Sequence, residues 1–100
     1  MPNETGKDIK QLVDKISAMP AIDIKILKYL SSERPMQLAE LASGLLLLPR
    51  QVSESVERLI ADGFVVKVDS VQKRRFLGEE AILLSPLGVT ARSVIDLMGI

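Results

Sequence analysis

The chain of 100 residues contains neither cysteine nor histidine. Without thiols it has no disulfide, no thiolate metal site and no cysteine nucleophile. Without imidazole it has neither the Ser-His-Asp nor the Cys-His arrangement, and no histidine metal site. Aromatic residues are scarce as well, with one Tyr, two Phe and no Trp. The core must therefore be built from Leu, Ile, Val and Ala. Charge of either sign in excess is also missing, since 13 Lys and Arg balance 13 Asp and Glu. Nucleic-acid binders are usually basic overall, so any such affinity here must come from local clustering of charge. The leucine run Leu45-Leu46-Leu47-Leu48 is far shorter than the roughly 20 apolar residues of a membrane span. Residues 1–10 are polar and unlike a signal peptide, which together with the absence of Cys leads us to expect a cytoplasmic protein without membrane contact.

What is present reads as one domain of short, closely connected elements. A domain of this size buries a modest core, and pairing with a second copy would add to it. Residues 1–4 are expected to be loose, with Thr5 capping a first helix that carries Ile9, Leu12, Val13 and Ile16 on one face. Pro20 separates it from a second helix over residues 21–31, with Ile22, Ile26, Leu27 and Leu30 inward. After Glu33-Arg34-Pro35, Met36 is placed to bridge to a later sheet. A short helix over residues 37–43 turns Leu38, Leu41 and Ala42 inward, and Leu45 to Leu48 form a turn. Pro49 suits the first position of the next helix. There Val52, Val56, Leu59 and Ile60 make the buried stripe, and Gly63 suits a left-handed end. Residues 64–69 read as a strand, 70–79 as a polar hairpin and 81–84 as the returning strand. Ser85-Pro86 starts a last helix with Leu87, Ala91, Val94, Ile95 and Met98 on one stripe.

A helix, a tight turn, a helix and a strand, followed by a basic hairpin and a second strand, outline a winged helix-turn-helix. The stretch Glu40-Leu41-Ala42, Val52, Leu59, Gly63-Phe64-Val65 resembles, without a gap, the helix-turn-helix of MarR-type transcription regulators. Downstream, Leu84-Ser85-Pro86-Leu87-Gly88 is similar to the segment where the wing of those proteins enters its next helix. The likeness extends over roughly residues 21–97. It implies an α+β, mainly α fold: a winged helix-turn-helix over residues 21–84, an extra N-terminal helix in 1–20 and a C-terminal helix in 85–100.

The resemblance also implies a function. The helix over residues 49–61 would be the recognition helix of a sequence-specific regulator of double-stranded DNA. Arg50 would meet a guanine edge or a phosphate, Gln51 an adenine, Ser53 a phosphate oxygen and Glu54 a cytosine amine. Lys73, Arg74 and Arg75 would be the basic wing, adding phosphate affinity. The flanking helices of MarR-type proteins dimerise, so a homodimer is expected through Ile9, Leu12, Val13 and Ile16 with Val94, Ile95 and Met98.

Three positions depart from the pattern. Relatives carry Gly or a small polar residue in the turn and Ser or Thr as helix cap, where this chain has Leu46 and Leu48. They favour a base where Glu54 stands, and the charges within residues 49–62 leave the helix at −1. A second reading is therefore a winged helix used as a protein-interaction module, with a protein partner at Leu46 and Leu48. The scattered carboxylates have no imidazole partner and no Gly-rich phosphate loop occurs, so neither enzyme activity, cofactor nor metal is expected.

Overall fold

A computed structural model of the chain describes residues 2–68 and 81–100, with the side chains of residues 2–8 left aside. Five helices and three short strands follow in the order α1 (Pro2–Ser17), α2 (Ala21–Tyr29), β1 (Met36–Gln37), α3 (Leu38–Leu45), α4 (Pro49–Ala61), β2 (Val65–Val68), β3 (Ala81–Leu84) and α5 (Pro86–Met98). The sheet is antiparallel in the order β1-β3-β2. Met36 pairs with Ile82, and Val65 with Leu84. The fold class expected from the sequence is the one observed.

Most elements form where local chemistry directs them. Ser85 caps α5, its Oγ accepting the Gly88 N–H at 3.0 Å, and Pro86 and Pro49 occupy first helical positions, where a missing N–H is harmless. Gly63 closes α4 at φ +86°, with the Phe64 N–H on the Leu59 carbonyl at 3.0 Å. That is the left-handed closure for which glycine is suited. Several element bounds need correction, among them α3, which runs over Leu38–Leu45 rather than 37–43 and takes Leu45 out of the expected turn. Residues 2–4 are helical rather than loose, with Pro2 as the first residue of α1. Helix α2 stops at Tyr29, two residues early, because Leu30 turns to an extended conformation.

The core lies between α2, α4, α5 and the sheet. Ile16, Ile26, Leu27, Leu41, Val52, Leu59 and Ile95 are fully buried in it. Helix α1 packs its Leu12 and Ile16 into the same core beside α5. Glycine permits one close approach. A Cβ on Gly88 would overlap the Phe64 carbonyl, which also accepts the Ser85 N–H at 3.0 Å. The Leu-Ser-Pro-x-Gly segment thus has a packing reason: α5 begins directly on the chain leaving α4. No described helix is long and apolar enough to cross a membrane.

Candidate nucleic-acid interface

Helices α3 and α4 are joined by a three-residue turn that leaves the start of α4 open to solvent. Arg50, Gln51, Glu54 and Glu57 are exposed on α4, whereas Val52, Ser55, Val56 and Leu59 point inward. Ser53 is half-buried and lines a cleft with Glu57, Lys67 and Ile82. Of the expected contact residues on this helix, three are thus fully presented and Ser53 lies to one side. Lys73, Arg74 and Arg75 lie outside the described residues.

The turn itself is unusual. Leu46 sits at φ 57° and ψ 46°, in the left-handed region. It closes α3 in the way that Gly63 closes α4, with the Leu47 N–H on the Ala42 carbonyl at 2.9 Å. A β-carbon in this conformation costs about 1–2 kcal/mol. Burial does not offset the cost, since Leu46 is 91% exposed and Leu48 65%. Leu45 and Leu47, between and before them, pack against the core.

Leu48 occupies the cap of α4 and has no side chain able to accept a hydrogen bond. Gln51 supplies the other half of a capping box: its Oε1 accepts the Leu48 N–H at 3.0 Å. Glu40 does the same for α3, accepting from the Gln37 N–H at 3.1 Å. The Gln51 amide group is therefore oriented, with its acceptor committed to the protein and its NH2 available outward.

A polar cluster that the sequence did not reveal fixes α4 on α2. Asp23, 3% exposed, accepts a hydrogen bond from the buried Ser55 hydroxyl. The same carboxylate receives Arg58 through two bonds, Nε at 3.1 Å and Nη2 at 2.8 Å. Two parallel N–H donors on one carboxylate fix orientation as well as distance. That hydrogen bonding, aided by the charges of Asp23 and Glu54, raises the pKa of Arg58 above its ordinary value against a smaller effect of burial. At the other end of α4, Asp62 meets Lys15 of α1 at 3.1 Å, and the Lys15 ammonium stands 6.0 Å from the centre of the Phe64 ring.

These pairings leave the net charge that α4 shows unchanged. With Arg58 and Asp62 engaged by Asp23 and Lys15, the exposed start of the helix carries Arg50 against Glu54 and Glu57. The face is acidic by one charge, as the sequence implies, and any excess of cations facing a phosphate lattice must come from elsewhere.

The residues expected at a dimer interface are largely used within one chain. Leu12, Ile16, Val94 and Ile95 are buried in the protomer, and Val13 and Met98 are half-buried against its core. Ile9 is half-exposed, and the apolar surface of the flanking helices is completed by Leu87, Leu97 and Ile100. A groove lined by Ile9, Leu12, Phe64 and Leu87 runs between α1 and α5.

This arrangement is a winged helix-turn-helix, with α3 as support and α4 presented. Residues 19–66 match the family model described as winged helix-turn-helix DNA-binding. The solved structures that resemble the chain are MarR-family regulators. Streptococcus pneumoniae FabT, in complex with DNA, superposes with a TM-score of 0.70 at 14% identity, over 85% of this chain and 57% of FabT. The Staphylococcus aureus MepR–DNA complex gives 0.70 at 17% identity, over 98% of this chain and 81% of MepR. The transcriptional regulator BldR from Sulfolobus solfataricus gives 0.65 at 22% identity, over 96% and 69%. The chain thus spans little more than half the length of FabT. No curated protein matches it in sequence.

Proposed function

We propose that the protein is a sequence-specific, double-stranded DNA-binding transcriptional regulator that acts as a cytoplasmic homodimer. The observation that carries this reading is the exposed start of α4, with Arg50 and an oriented Gln51, inside a segment that matches a DNA-binding family. Arg50 reads a guanine edge or holds a phosphate, and the outward NH2 of Gln51 donates to a base edge. Glu54 accepts from a cytosine amine. Lys73, Arg74 and Arg75 supply the phosphate affinity that the acidic face of α4 lacks. Ser53 is assigned a marginal phosphate contact. Helices α1 and α5 form the dimer through Ile9 and the exposed Leu87, Leu97 and Ile100. The buried Leu12, Ile16, Val94 and Ile95, with Val13 and Met98 beside them, support those helices from beneath. A two-fold dimer sets its recognition helices about 34 Å apart and selects a pseudo-palindromic site. We assign the protein no catalytic activity.

The test is binding to mixed genomic fragments at low and moderate salt. Affinity that falls steeply with salt is expected. Replacing Arg74 and Arg75 by Ala weakens binding evenly across sequences, whereas Arg50→Ala shifts the preferred sequence. Absence of salt-dependent binding by the intact protein would sink the reading. The acidic face of α4 and the exposed Leu46 and Leu48 favour a second reading, a winged helix that docks on a protein; binding that is indifferent to Arg50, Arg74 and Arg75 supports it.

A further inference from the structure

Leu46 and Leu48 are the two most exposed large apolar side chains of the helix-turn-helix. Each stands where the local backbone favours another residue. The left-handed conformation of Leu46 suits glycine. The cap position of Leu48 suits a side-chain acceptor for the N–H groups of the first turn, which leucine does not supply. Neither side chain packs against the core, although Leu47 between them does. Local folding therefore explains neither leucine.

Their place explains both. In a helix-turn-helix it is the N-terminal end of the recognition helix that meets base edges in the major groove. Leu48 immediately precedes that end, and Leu46 lies two residues before it on the same turn. In that groove the apolar feature a protein can touch is the C5-methyl group of thymine. An acidic α4 face gains little from phosphates, so apolar contact is a compatible source of selectivity for it.

We propose that Leu46 and Leu48 form an apolar edge that contacts thymine methyl groups beside the bases met by Arg50 and Gln51. The proposal rests on the DNA-binding reading above and names a specificity element within it. Recognition then combines polar contacts from the first turn of α4 with methyl contacts from the turn that precedes it. The preferred half-site carries thymine next to the base read by Arg50.

The experiment starts from a duplex selected out of a randomised pool by the wild-type protein. Its affinity is compared with that of the same duplex in which deoxyuridine, which lacks only the methyl group, replaces thymidine. Wild type is expected to lose about fourfold in affinity per contacted methyl, the worth of one buried carbon. The double variant Leu46→Gly, Leu48→Ser restores ordinary turn and cap residues. It should bind the thymidine duplex more weakly and lose the distinction, while Arg50→Ala keeps it. A wild-type protein indifferent to the methyl, or a double variant that still distinguishes the two duplexes, overturns the proposal and leaves the leucines to a protein partner. Failure to select any duplex overturns the DNA-binding reading itself, so the two failures are distinguishable.

Discussion

The carboxylate of Asp23 on α2 holds the guanidinium of Arg58 on α4 through two hydrogen bonds, at 3.1 and 2.8 Å. The same carboxylate takes the buried Ser55 hydroxyl. The candidate recognition helix is thus fixed in rotation by polar geometry as well as by its apolar stripe. Ser55→Ala leaves Arg58 in place and removes one bond to a charged acceptor in the core. It should lower stability by about 1.5–3 kcal/mol, read as a shift of the urea midpoint with an unchanged slope. An unchanged midpoint would show that the hydroxyl contributes nothing.

Leu46→Gly should have the opposite sign. The position is left-handed and almost fully exposed, so glycine relieves strain and gives up no packing. A gain of about 1 kcal/mol is expected. For a domain of this size that raises Tm by about 4–8 °C, and calorimetry would detect it. A lower Tm would mean that the leucine is covered in the folded protein.

Two glycines should differ in their tolerance of alanine. At Gly63, with φ +86°, a Cβ meets only Leu87, 3.6 Å away, so the cost is conformational, about 1 kcal/mol or somewhat more. At Gly88 the Cβ overlaps the backbone carbonyl of Phe64, and α5 must separate from that chain. Gly88→Ala should therefore be the more damaging, at about 3 kcal/mol or more. Comparable melting temperatures for the two variants would contradict this ordering.

Gln51 has two uses that a pair of variants can separate. Gln51→Glu keeps an oxygen for the Leu48 N–H and loses the NH2 donor. It should retain wild-type stability and change base preference. Gln51→Ala loses both, with a cost to stability of about 0.5–2 kcal/mol. Thermal melts and site selection on the two variants read the two effects independently.

Much of this arrangement was legible in the residues. Pro49, Gly63 and the stripe from Val52 to Leu59 bracket α4 at its observed bounds, and Ser85-Pro86 marks the start of α5. These signals are local, so they survive without knowledge of the rest of the chain. The Asp23 cluster was not legible. Between Ile22 and Ile24, in the first turn of a helix, an Asp reads as a solvated carboxylate that suits the helix dipole. Ser55 gave a partial signal, lying on the buried stripe of α4, where a polar group requires a partner. That partner is 32 positions away, and no spacing rule connects the two. The stripes expected at a dimer interface are ambiguous for a related reason. An apolar stripe shows that a helix face is covered, not whether the same chain or another covers it.

Helix α2 is bound at both ends by other helices. Asp23 ties its first turn to α4, and the Arg92 side chain of α5 donates to the Leu30 carbonyl at its end, at 2.7 Å. Between these ties Ile26 and Leu27 are sealed from solvent. Their amide protons therefore have no local route to exchange with water and must wait for the whole domain to open. In the turn that follows α3, by contrast, Leu46 is strained and the side chains of Leu46 and Leu48 are uncovered. The exposed turn is thus carried by a domain whose second helix is tied at both ends and sealed at its middle.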